Sequence, residues 1–247
     1  HSGNMAIEKS YTDGVQSSIE VLVAAPWFPE AAAWLAAHPR AEVGLHFAIT
    51  SEWDNVKWRP LSAAPSLRNA DGYFYPMLFP NKNYPRQSVM ENAWKLADIE
   101  QELRAQIILA KKYLPHLHHI SGHMGSIGFD PSVAAMVKRV AMEYNLVAAD
   151  LEDAAKPLAW FPANLWRKPA AEKVSAFITA LDQLEEGKTY LFVDHPGFND
   201  DELKAISHIG YEDVAQDRQS VTDLFTDPRV KEALVRRGIH VVGYGGR

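Results

Sequence analysis

Strand-like apolar runs alternate with helical stretches along almost the whole chain, and that alternation limits the folds open to it. Residues 18–24, 41–49, 118–123, 146–149, 189–195 and 238–244 read as strands. Residues 3–13, 31–37, 99–113, 131–144, 170–184, 217–225 and 228–237 read as helices, and Asp200 or Asp201 caps a short one at 202–207. In the helix at 99–113, Leu103, Ile107 and Ala110 recur at helical spacing, and Glu100, Glu102, Arg104 and Lys111 form the expected wet side. Residues 50–95 and 150–168 read as loop. Strands alternating with helices imply parallel βαβ units. The expected architecture is an α/β, TIM-barrel-like (β/α) barrel of seven or eight mostly parallel strands, with an open doubly wound sheet as the alternative. No repeat or linker divides residues 1–247, so a single domain is expected. Its first barrel strand is expected ahead of the residues given, because the chain opens in a helix. No Gly-x-Gly-x-x-Gly follows a strand, which counts against a dinucleotide site.

Composition narrows the partners. The formal net charge of −6 disfavours nucleic acid. No apolar run approaches the roughly 20 residues of a membrane span. With no cysteine, any metal must be held by His, Asp or Glu. Location stays open between the cytoplasm and an exported compartment.

Three of the ten histidines, His46, His123 and His195, stand at the ends of three separate predicted strands. In a parallel barrel all such ends share one face, where these folds place their chemistry. Two imidazoles there suit a divalent ion. His119 alternates in phase with Ser121 and His123, so both residues are placed to support the site. Nearby carboxylates are Glu52, Asp54, Asp150, Asp153 and Asp194. His1, His38, His116, His208 and His240 read as surface or satisfied core residues. The 50–95 segment is long enough to be functional. It carries Trp53, Trp58 and Tyr73, flat faces suited to sugar rings, although filling gaps beneath a loop is the simpler role for any one of them.

Five motifs then occur in family order: His1-Ser2-Gly3-Asn4-x-Ala6-Ile7; Val43-Gly44-Leu45-His46 with Thr50-Ser51-Glu52-Trp53; Glu102-Leu103-Arg104-Ala105-Gln106-Ile107; Ser121-Gly122-His123-Met124-Gly125; and His195-Pro196-Gly197. In these the chain resembles the YdjC-like (ChbG/HpnK) carbohydrate deacetylases. The resemblance implies a TIM-barrel-type hydrolase that removes acetyl groups from N-acetylated sugars such as chito-oligosaccharides. It implies a metal held by an Asp and two histidines, here His46 and His123, with His195 as general acid or transition-state stabiliser. The family's Asp-Asp-x-Gly motif would precede His1. Ser121-Gly122-His123 stands where the family usually has Asp-Ser-His, which removes a carboxylate that could orient the ligand histidine.

The expected function is therefore metal-dependent deacetylation of N-acetylated sugars or oligosaccharides, with Zn²⁺ or Mg²⁺ as cofactor. Glu52, Trp53, Trp58 and Tyr73 are the expected substrate contacts, and a homodimer is one assembly the sequence allows. A non-catalytic carbohydrate-binding or regulatory barrel that keeps the pocket is the rival reading. Another metal-dependent ester or phosphate hydrolase is the third.

Overall fold

The computed structural model describes residues 1–149, 151 and 158–246. In chain order its elements are α1 (Ser2–Thr12), β1 (Ser18–Val21), α2 (Phe28–Ala37), β2 (Glu42–Phe47), α3 (Leu96–Tyr113), β3 (His119–Gly122), α4 (Pro131–Glu143), β4 (Val147–Ala148), β5 (Leu158–Trp160), α5 (Ala170–Ala180), β6 (Thr189–Leu191), α6 (Asp201–Lys204), α7 (Val214–Thr226) and α8 (Pro228–Arg236). The chain falls into two compact units. One comprises Ser18–Leu151 and His208–Gly210; the other comprises His1–Ser17, Glu152–Ser207 and Tyr211–Arg247.

The first unit is built on a parallel sheet in the order β1-β2-β3-β4. Alternation along the strands gives this sheet two unlike faces. Ile19, Val21, Val43, Leu45, Phe47 and Ile120 are all buried on one of them. The other carries Glu20, Gly44, His46, His119 and Ser121. The register places Glu20 beside Gly44 and Gly44 beside His119, with His46 beside Ser121. A Cβ on Gly44 would strike both His119 Nε2 and Glu20 Oε2. Glycine in the middle strand is what lets those two side chains meet across it.

Helix α3 packs on β2. Its buried stripe is Ile99, Glu102, Leu103, Gln106, Ile107 and Ala110. Glu102 is thus not on the wet side, as its charge suggests, but fully buried. Its carboxylate accepts from the backbone N–H groups of Leu61 and Ser62, at 3.0 and 2.9 Å, and from the Ser62 hydroxyl at 2.6 Å. Gln106 donates to Glu102 Oε1 at 2.8 Å and to the Ala48 carbonyl at 2.7 Å. A buried carboxylate needs such donors, and here they pin the long irregular segment after β2 to the helix.

In the second unit α5, α7 and α8 enclose a core of Val174, Phe177, Val221, Leu224, Val230 and Leu234. The parallel pair β5–β6 forms a separate two-stranded sheet. The unit also holds a buried ion pair between α5 and α7, Lys173 Nζ to Asp217 Oδ1 at 2.7 Å. Lys173 also donates to the Leu165 carbonyl at 2.6 Å, and Asp217 accepts from Tyr211 Oη at 2.7 Å. Burial, with that bond to Asp217, raises the Tyr211 phenol above its ordinary range.

Several expectations change. The described residues form four parallel strands and two more, not a barrel of seven or eight. Strand β5 occupies residues read as loop. Residues 238–244 form no strand: Gly238 takes φ +65°, the Ile239 N–H returns to the Leu234 carbonyl at 3.0 Å, and the segment closes helix α8 instead. Strand β6 stops at Leu191, short of His195. There the Asp194 carboxylate accepts the His195 N–H at 2.8 Å, and Pro196 has no N–H to continue a ladder. His46 and His123 therefore belong to one sheet, and His195 follows a strand of the other.

Candidate functional site

Strands β2 and β3 are parallel neighbours, so their C-terminal ends lie side by side. His46 is the penultimate residue of β2. His123 follows β3 directly, in a 3-10 turn His123–Gly125 in which Met124 and Gly125 take φ of 53° and 84°. The turn leaves little room: a Cβ on Gly122 would lie 2.8 Å from Ile127 Cγ1. The rings of His46 and His123 come to 5.2 Å between centroids at 75°. Trp58 stands 6.5 Å from the His123 ring, held by its indole N–H donating to the Thr50 carbonyl at 2.8 Å.

Carboxylates orient both rings. Ser121 Oγ donates to Glu20 Oε2 at 2.6 Å. A hydroxyl has one proton, so the 2.7 Å contact between Ser121 Oγ and His46 Nδ1 runs the other way, from Nδ1–H to the oxygen. In a neutral ring that puts the lone pair of His46 on Nε2. Glu20 also accepts from His119 Nε2. His123 Nε2 donates to Glu52 Oε2 at 3.0 Å, which in a neutral ring puts the lone pair on Nδ1. Two imidazoles, each with one nitrogen bonded to a carboxylate or to a hydroxyl that a carboxylate holds, match the donor arrangement of metal-binding histidines. The residues present thus fit two ligands of a divalent ion.

The expected residues distribute unevenly. Ser121 and His119 both join the His46 network. Glu52, expected at the substrate, is buried against His123. Trp58 is buried beside that pair, and Trp53 is buried and stacked on His208 at 5.5 Å. Tyr73 is half-buried beneath the Arg59 guanidinium, 4.6 Å from its ring. Asp54 accepts from Tyr84 Oη at 2.7 Å. Asp150 and Asp153 lie outside the described residues. His195, in the other unit, has a side chain 58% exposed.

Sequence reading missed two participants. Glu20 lies between Ile19 and Val21, and its part comes from its register beside Gly44. Lys57 donates to the Ser51 carbonyl at 2.8 Å. Burial pulls its pKa below the ordinary lysine value, against the opposing pull of Asp54 and Glu52. Beside the His123 turn, an apolar recess of about 260 Å³ is lined by Phe79, Gly125, Ile127, Gly128, Phe129 and Leu151. No helix of the described residues is long and apolar enough to cross a membrane.

Comparison with known proteins shows the family. The family model described as YdjC-like protein matches residues 1–236. A carbohydrate deacetylase of Thermus thermophilus is 33% identical over 118 residues, spanning 47% of this chain and 39% of that protein. A carbohydrate deacetylase of Vibrio cholerae is 23% identical over 252 positions, spanning 98% of this chain and 89% of its own length. A chitooligosaccharide deacetylase of Yersinia pestis is 25% identical over 243 positions, spanning 95% and 89%. Among solved structures, an Enterococcus faecalis protein whose proposed role is cellobiose-phosphate cleavage superposes with a TM-score of 0.77. It has 22% identity and covers 99% of this chain and 93% of its own, a likeness of fold alone.

Proposed function

The chain belongs to the YdjC-like protein family, and from that premise we propose that it removes acetyl groups from N-acetylated sugars or oligosaccharides in a metal-dependent hydrolysis. Relatives aligned over nearly the whole chain carry the names carbohydrate deacetylase and chitooligosaccharide deacetylase, which supports the substrate class. The observation that carries the reading is the pair His46 and His123, side by side at strand ends with their tautomers set by Glu20, through Ser121, and by Glu52.

When bound, a divalent ion polarises the acetamide carbonyl and lowers the pKa of a water molecule. His46 Nε2 and His123 Nδ1 would hold it, and two imidazole donors favour Zn²⁺ over Mg²⁺. Glu20 acts at one remove: by accepting the Ser121 proton it obliges Ser121 to accept from His46. Glu52 does the same for His123 directly. His195 is assigned proton delivery to the leaving amine on its His-Pro-Gly motif alone. Glu52, Trp53, Trp58 and Tyr73 are proposed to line the sugar subsite. The burial of both tryptophans favours Tyr73 as the face presented to a ring.

Elemental analysis and turnover of two variants test the assignment. His123→Ala is expected to lose both the metal of this centre and hydrolysis while keeping the fold. His195→Ala is expected to keep the metal and lose turnover. Full metal content in His123→Ala, or metal loss confined to His195→Ala, overturns it.

A further inference from the structure

We propose that Glu42, His118 and His119 form a second divalent-cation site, of zinc type, at the opposite end of the four-stranded sheet. Glu42 opens β2 and His118 immediately precedes β3, so the cluster sits at the N-terminal ends of neighbouring strands, whereas His46 and His123 sit at the C-terminal ends. Among the described residues it is the group of three or more His and carboxylate side chains whose ligand atoms all lie within 4.8 Å of one another.

The geometry is close to a coordination sphere. Nδ1 of His118 and Nδ1 of His119 are 3.4 Å apart. Glu42 Oε1 lies 4.0 Å from the first and 3.9 Å from the second. Tetrahedral zinc with bonds of about 2.0–2.1 Å separates its ligands by about 3.4 Å. The two nitrogens already stand at that separation, and the carboxylate has roughly 0.5 Å to move. Its side chain and that of His118 are 21% and 36% exposed, so both can adjust and a fourth position can take water.

Tautomer chemistry distinguishes this cluster from a chance surface group. His119 is fully buried, and its Nε2–H donates to Glu20. When the ring is neutral, its Nδ1 turns a lone pair toward His118 and Glu42. A buried histidine whose far nitrogen is clamped by a carboxylate is the arrangement that orients metal-ligating imidazoles. With cysteine absent, the donor set is two nitrogens and one carboxylate oxygen, which suits Zn²⁺ and its first-row neighbours. Glu20 bonds His119 on one side and Ser121 on the other. A cation here would thus hold one end of the chain of bonds whose other end holds His46.

The test uses metal-stripped protein titrated with Zn²⁺ by calorimetry, with content checked by elemental analysis. In a His46→Ala/His123→Ala background the protein is expected to retain one equivalent of Zn²⁺. Adding His118→Ala, at a half-exposed position, should remove that equivalent, and adding Glu42→Gln should weaken binding at least about tenfold. No Zn²⁺ bound by the double variant, or an equivalent that survives His118→Ala, overturns the proposal. Should the double variant fail to fold, the single variant His118→Ala is compared with the unaltered chain. Loss of one equivalent supports the site; equal content overturns it. Because the background lacks the strand-end pair, failure there and failure of the deacetylase reading are read separately.

Discussion

Glu20 and Ser121, two strands apart, meet through a 2.6 Å hydrogen bond on the polar face of the sheet, where the strand between them carries Gly44 in register with Glu20. The contact restores in another form the carboxylate that Ser121 itself does not provide. Glu20 acts on His46 through one hydroxyl.

Gly44→Ala is expected to force Glu20 and His119 apart, because the new methyl group would occupy the space where they bond. Inserting a methyl group into a packed strand face costs about 1–3 kcal/mol. Urea unfolding should show that loss. Unchanged stability would mean that the polar face has slack the geometry does not show.

Ser121→Ala leaves His46 Nδ1 without its acceptor and Glu20 without one of its donors. Removing such an outer partner weakens metal affinity about 10–100-fold, and competition with a chelating dye can measure it. Ser121→Thr keeps the hydroxyl and should bind nearly as the parent does. Equal losses in both variants would point to packing instead of the hydrogen bond.

Much of this layout is legible in the sequence, and the parts that are not share a cause. Helices α3, α4 and α7 announce themselves by period, and the strands ending near His46 and His123 by apolar runs closed with turn residues. Glu20 does not, because its partners His119 and Ser121 are about a hundred residues away and its role exists only in register. Glu102 misleads for the same reason: a carboxylate at a buried helix position looks wet until the backbone that satisfies it is in place. Strand β5 is too short to show a period. Residues 238–244 have a strand's composition, but after Gly238 the backbone bonds back to its own helix.

Lys173→Met should be among the most damaging substitutions in the second unit. It leaves Asp217 buried without its cation. Breaking one partner of a buried pair costs about 3–5 kcal/mol. Lys173→Met combined with Asp217→Leu should recover part of that loss. A thermal or urea unfolding series decides it, and a loss no smaller in the double variant than in the single one would contradict the pairing.

Asp227 caps α8 by accepting the Arg229 N–H at 2.8 Å, and the Arg229 guanidinium beside it holds its carboxyl below the ordinary range. A depressed folded-state pKa means the contribution is present above the ordinary Asp range and is lost as pH falls through the folded value. Asp227→Ala should therefore cost about 1 kcal/mol at neutral pH, with the gap between parent and variant closing in acid. A gap independent of pH would remove the ionised carboxylate from the account.

The most direct test of the central reading is acetate released from an N-acetylated chito-oligosaccharide by the Zn²⁺-loaded protein, with new free amine counted in parallel. The account predicts one amine per acetate, with release abolished in His46→Ala and in His123→Ala while circular dichroism shows the fold retained. No acetate from the parent protein, or release undiminished in both folded variants, would contradict it.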